Sequence, residues 1–244
     1  MPLYATLDNL RRHLGLRDDE TTDDDRLYGL LEAVSTDLTR ECGRSFEPLF
    51  ATRLHTMERA SDLLSLADDL LVLTAAEDAG GPLALDAVER IPETGPAALL
   101  RLADGLRFLA GDVRVTGWWG WHDHPDGVWI ATGQAVQNDP LHADDTTLSV
   151  PLVAPFSPGL LLRLEGELAR VTAVSAGLNQ ITLQRGQNGT AAASHAQGTP
   201  IDGYSAPADV RDLVLRRAAW LARRPEPLPD SLRTPALRWR RERV

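Results

Sequence analysis

Residues 117–129 concentrate the side chains most able to do chemistry. Gly117-Trp118-Trp119-Gly120-Trp121 runs into His122-Asp123-His124-Pro125-Asp126, and Trp129 follows, so four of the six tryptophans fall here. Imidazole and carboxylate are the ligands of zinc and related ions. Against a metal site, His122 and His124 are two residues apart across a turn, and no distant third ligand can be identified. A polar loop tip beside a tryptophan cluster is the simpler reading. Indole rings stack on bases and sugars, but they equally anchor a small β core or an interface. Trp118, Trp119 and Trp121 are therefore read as interface or core aromatics.

The other constellations are thinner. Cys42 is the single cysteine, which excludes an intrachain disulfide and a cysteine-based zinc site. It falls on an apolar helical face and reads as core, not as a nucleophile. All 25 basic residues are Arg, so phosphate-loop, Schiff-base and kinase-type lysine chemistry is excluded. Gly-x-Ser-x-Gly does not occur. Asp68-Asp69 and Asp144-Asp145 are paired carboxylates, but adjacent strand residues face opposite ways, so no shared site is expected. Asn188-Gly189-Thr190 reads as a turn, and His195 as a surface or turn histidine. No catalytic residue, metal or cofactor is expected, and the chain is read as a non-enzyme.

Helices frame the chain and strands fill its middle. Thr6 caps a short helix carrying Leu7, Leu10 and Leu14 and stopped at Gly15. A longer helix starts near Thr22 or Asp23, with its acids at the end that the helix dipole favours. Leu27, Leu30, Leu31, Val34, Leu38 and Cys42 make its apolar face, and Gly43 ends it. From Phe46 to Thr116, short apolar runs split by Gly and Pro predict a small antiparallel β region: 63–66, 70–74, 83–85, 99–102 and 113–115. Residues 128–203 predict further strands at intervals of roughly ten residues, as in a small barrel or sandwich. A helical stripe returns with Val210, Leu213, Val214, Ala218 and Leu221, and Pro225, Pro227 and Pro229 end it.

At 244 residues and 43% apolar, the chain can bury a real core in one large domain or two modest ones. No apolar run is long enough to span a membrane, and the opening MPLYATLDNL has no secretion-signal pattern. The net charge of -10 is unevenly spread. Residues 8–25 hold seven acids against three Arg, and the last 34 residues hold ten Arg. A chain acidic at one end and basic at the other is suited to head-to-tail stacking, or to docking its tail on an acidic partner.

Several motifs, in order, carry a resemblance. Thr6-Leu7-Asp8-Asn9-Leu10-Arg11-Arg12-His13-Leu14-Gly15 leads through an acidic loop to a helix ending Cys42-Gly43-Arg44-Ser45-Phe46. Leu66-Ala67-Asp68-Asp69-Leu70-Leu71 follows, then Val113-Arg114-Val115-Thr116-Gly117-Trp118-Trp119-Gly120-Trp121, then the Pro207-initiated helix. The series resembles the head–tail connector (adaptor) proteins of long-tailed double-stranded DNA bacteriophages. The Pro207 helix arrives some seventy residues later than in that family. The excess contains Phe156 to Glu167 and Arg185-Gly186-Gln187-Asn188-Gly189-Thr190 through His195. These are similar to a small β module met in phage structural proteins.

The resemblance implies an α+β fold with a helical adaptor core, a small antiparallel β region and an inserted β-barrel or sandwich-like module. Its divisions are adaptor helices and β region over 1–127, the module over 128–203, and a C-terminal helix with a portal-docking tail over 204–244. It implies a virion protein of the head–tail neck, made in the host bacterial cytoplasm. Copies form a ring, of twelve subunits in the family, between the portal protein and the next neck or tail-completion protein. DNA passes through the channel without sequence-specific binding, and no membrane is involved. On this reading Arg238, Trp239, Arg240 and Arg241 bind the portal. Asp23, Asp24 and Asp25 face the channel or a ring interface, because an acidic wall lets DNA slide where Arg would grip its phosphates. The alternative from another class is a β-rich carbohydrate-binding or tail-tip protein using the Trp cluster.

Overall fold

The computed structural model describes residues 1–17, 19–223, 227–233, 236, 239 and 240. The helices form where the period places them. α1 (Leu7–Leu14) opens on a capping box: Thr6 Oγ1 accepts the Asn9 N–H at 3.3 Å, and Asn9 Oδ1 accepts the Thr6 N–H at 3.2 Å. α2 (Asp24–Cys42) buries Leu27, Leu31, Val34, Leu38 and Cys42, and Gly43 closes it at φ 64°. α3 (Ala208–Arg223) buries Val210, Leu213, Val214 and Ala218, and α4 is the single turn Asp230–Arg233.

A helical core is not what these elements build. The described residues form two six-stranded antiparallel sheets, with only four helices beside them. The expected α+β chain with a helical adaptor core and a small β region is thereby corrected to a mainly antiparallel β fold. The physical reason lies in residues 44–126. The apolar runs 63–66 and 70–74 read as two short strands around a turn. They are one strand, Leu63–Asp78, because Ala67-Asp68-Asp69 continues extended through a register shift between Ser65 and Leu70. Two carboxylates in mid-strand look like a turn until each finds an Arg.

The chain divides into two compact units, one of residues 44–126 and one of 1–43 with 127–244. In the first, β1 (Leu49–Met57), β2 (Leu63–Asp78), β3 (Gly81–Pro82), β4 (Val88–Ile91), β5 (Ala97–Leu102) and β6 (Gly111–Trp119) form a sheet of order β1-β6-β2-β5-β4, with β3 paired to β2. Its core gathers Leu64, Leu66, Leu70, Leu100, Phe108, Val113, Val115 and Trp119. β6 threads between β1 and β2 through Gly117. A Cβ there would stand 2.2 Å from the Val72 carbonyl oxygen.

The second unit holds α1 to α4 and a sheet of order β7-β12-β9-β10-β11-β8. Its strands are β7 (Trp129–Ala135), β8 (Thr147–Ser149), β9 (Leu161–Leu164), β10 (Glu167–Ser175), β11 (Gln180–Gln184) and β12 (Pro200–Tyr204). Just beyond β7, the Gln137 N–H donates to the Ser149 carbonyl of β8 at 3.0 Å and Asn138 Oδ1 accepts the Ser149 N–H at 2.8 Å, so the two ends of the strand order meet. Val136, Leu141, Leu148, Phe156, Leu162, Leu164, Val171, Ile181 and Ile201 form its core.

Candidate functional site

The tryptophan run is built into the first sheet, not gathered on one platform. Trp119 points inward at 1% exposure, and its indole N–H donates to the Ala51 carbonyl at 2.8 Å. Trp118, the next residue in the strand, faces the other side and meets Phe50 across the β1–β6 pair, ring centroids 5.2 Å apart at 55°. Trp121 sits edge-on to Phe46 at 5.8 Å. Trp129 belongs to the other unit, where the Arg163 guanidinium lies 4.9 Å over its ring. These four side chains do not form one flat surface of coplanar rings.

That sheet carries a polar cluster around Asp68 and Asp69. Arg53 pairs with Asp68 at 2.9 Å, and Arg44 with Asp69 at 3.4 Å. Each guanidinium also lies 5.4 Å from an indole centroid, Arg53 over Trp119 and Arg44 over Trp121. Both carboxylates line one cavity of about 30 Å³, room for a single water. The expectation that Asp68 and Asp69 could not share a site fails because the register shift in β2 breaks the alternation there. His55 packs beside Trp119, ring centroids 6.1 Å apart. Burial lowers its pKa from 6.5, and the Arg53 charge acts in the same direction against Asp68. The cluster has two cations, two anions and a neutral imidazole but no nucleophile. Its chemistry is electrostatic fastening.

The loop tip after Trp121 is a turn. His122 is buried, and its Nδ1 accepts the His124 backbone N–H at 2.9 Å. Among the described residues, no group of three or more His, Cys, Asp or Glu is placed to hold a metal. The Cys42 thiol is buried and donates to the Ala236 carbonyl at 3.4 Å. No helix among the described residues is long and apolar enough to cross a membrane.

The second polar cluster gives the Arg185–His195 motif its meaning. The Glu167 side chain is fully buried and receives Arg185 Nε at 2.6 Å, a second Arg185 nitrogen at 2.7 Å, and the backbone N–H groups of Gly186 and Ala193 at 3.1 and 2.9 Å. His195 is not a surface histidine. It is 2% exposed, with Nε2 2.9 Å from Glu167 and Nδ1 2.8 Å from Glu165. Arg185 also donates to the carbonyls of His142, Asp145 and Ala193. Burial opposes ionisation of Glu167, but the hydrogen bonds from Arg185, Ala193, His195 and Gly186 outweigh it and hold the pKa below 4.5. Asn188 and Gly189 turn the chain at positive φ, and Thr190 Oγ1 accepts the Leu168 N–H at 3.0 Å. Each prominent residue of the motif fastens the loop to β10.

The acids and the tail fall as follows. Asp23 precedes α2, is exposed and pairs with Arg26 at 3.0 Å. Asp24 pairs with buried Arg11, and Asp25 is exposed in the first turn. Of the tail, Trp239 is 7% exposed and Arg240 is exposed, whereas Arg238 and Arg241 lie outside the described residues. Arg217, wholly buried in α3, donates to the carbonyl of Leu232 at 2.8 Å and pairs with Glu41 at 2.9 Å. Compared with known protein families and with curated proteins, the sequence matches none of them.

Proposed function

We propose that the chain is a structural subunit of a phage neck, one of a ring of copies between portal and tail through which DNA passes. The observation that carries this reading is a row of apolar side chains across the open face of the first sheet. Phe50, Trp118 and Val72 stand side by side on β1, β6 and β2, and Val72 is 50% exposed. Leu54, 58% exposed, extends the apolar surface along β1, whose outer edge pairs with no strand among the described residues. Large side chains displayed this way suit a protein partner. Two further features support the reading: the order of adaptor-like motifs along the sequence, and the polarity of charge between residues 8–25 and the Arg-rich tail. The tail contributes Arg240 and its neighbours to a portal contact, and the exposed acids Asp23 and Asp25 serve a channel wall or an interface between copies.

Electron microscopy of the purified chain, alone and added to tailless portal-bearing particles, tests this. Rings, or density at the portal vertex, are the expected result. A chain that stays monomeric and does not bind such particles overturns the proposal.

A further inference from the structure

The unit of residues 1–43 and 127–244 contains a cleft of about 400 Å³. Its floor is sheet surface: Ile130 and Thr132 of β7, Gly203 of β12, and Leu160. Ile130 is 57% exposed, unusual for a large aliphatic side chain in a packed sheet. At Gly203 a Cβ would reach to 3.6 Å from Thr132 and 3.7 Å from Leu160, so the glycine keeps the floor open. Arg12 of α1 and Arg211 of α3 line the same cleft. Both are exposed, and neither pairs with a carboxylate among the described residues. Arg12 Nε donates to the Asp8 carbonyl at 3.3 Å, and Asp8 also lines the cleft; a concave site with an apolar floor and two guanidinium groups free of carboxylate partners suits a ligand with carboxylates.

The same chain presents such a ligand. Residues 19–25 hold five acids and no base, and Asp19, Glu20, Asp23 and Asp25 are exposed. Their loop is held in shape. Arg11, 8% exposed, donates to the carbonyls of Arg17 at 2.7 Å and Glu20 at 2.9 Å, and pairs with Asp24. A buried arginine thus fixes an acidic loop whose remaining carboxylates are exposed: Asp19 and Glu20 pair with exposed Arg17, Asp23 pairs with exposed Arg26 at 3.0 Å and would exchange that partner on docking, and Asp25 has no ion pair among the described residues. A preorganised loop loses little entropy when it docks.

We infer that the Arg12–Arg211 cleft receives the acidic loop of a second copy of this chain, with Asp23 and Asp25 as the carboxylates that pair with the two arginines. The inference rests on the ring reading and assigns one of its interfaces. Cleft and loop are different patches, so the contact is heterologous and propagates from copy to copy.

A charge swap tests it. Sedimentation velocity is measured on the full-length wild type, on Arg12→Glu/Arg211→Glu and on Asp23→Arg/Asp25→Arg, with circular dichroism to establish that each is folded. Wild-type association should weaken with added salt. Each double variant should self-associate at least about tenfold more weakly. Their equimolar mixture should recover wild-type association, because each then offers the complement the other lacks. The inference is overturned if both folded variants associate like wild type, if the mixture stays dissociated, or if wild type is monomeric at every concentration and salt. Electron microscopy of portal-bearing particles separates the two readings. Variant rings there sink the cleft assignment and leave the ring, whereas absence of wild-type rings sinks both.

Discussion

Glu167 has a side chain fully out of solvent, held by Arg185, His195 and two backbone N–H groups. Removing one partner of a buried charge pair costs about 3–5 kcal/mol. Glu167→Gln should therefore lower stability by that order in denaturant unfolding. Because the folded-state pKa lies below 4.5, the carboxylate's contribution is complete above 4.5 and is lost as pH falls through the folded value. Acid unfolding of wild type should carry this component below pH 4.5, and Glu167→Gln should lack it. His55 works at a higher pH. Its folded-state pKa lies below 6.5, so the unfolded chain takes up the proton first. Stability should fall as pH drops below 6.5, until the folded-state value is passed. Unfolding of His55→Gln across that window should show a flatter dependence; an unchanged slope would remove His55 from the account. None of this was legible in the sequence. From sequence His195 reads as a surface or turn histidine, because its partners, Glu165 and Glu167, lie 30 and 28 positions away.

Periodicity found the helices and the Gly stops well, because capping and amphipathic faces are local. Thr6→Ala should cost about 1 kcal/mol through loss of the capping box, measurable as a shifted unfolding midpoint. Strand β2 does not show whole in the sequence, because its two apolar stretches are joined by Asp68 and Asp69, whose compensating Arg53 and Arg44 lie in other segments. The Gly-Trp-Trp-Gly motif stands out as a pattern in the sequence, yet its physics is close approach between strands. A Cβ at Gly117 meets the Val72 oxygen at 2.2 Å, and one at Gly120, where φ is 149°, meets the Glu47 oxygen at 2.9 Å. Gly117→Ala must push β6 from β2 and should cost about 1–3 kcal/mol or more. Hydrogen exchange along β2 and β6 should quicken in the variant; unchanged protection there would refute the close-approach argument.

Across the whole molecule, composition allows one large domain or two modest ones, and the chain divides into two compact units. Their boundaries were beyond a linear reading, since one unit is assembled from both ends of the chain. Separate cores predict separate responses. Glu167→Gln should speed exchange within 127–204 and leave 44–126 protected, whereas Gly117→Ala should do the reverse. The tail is bound to the helices through Ala236 at Cys42 and the carbonyls of α4 at Arg217. Deleting residues 236–244 should therefore lower stability modestly as well as abolish attachment to portal-bearing particles. Arg240→Glu separates the two effects, because Arg240 is exposed: attachment should weaken with the unfolding midpoint unchanged.

The excursion of residues 44–126 closes on itself. The Trp121 N–H donates to the Ser45 carbonyl at 2.8 Å, so the chain leaves this unit beside the point where it arrived. A segment with adjoining ends behaves as a cassette. It can be exchanged for another of different length by a single genetic event, and the host unit need bridge only a narrow gap. Lineages carrying the same helices and second sheet around an unrelated central cassette, or around a short turn, are the natural outcome of such a joint.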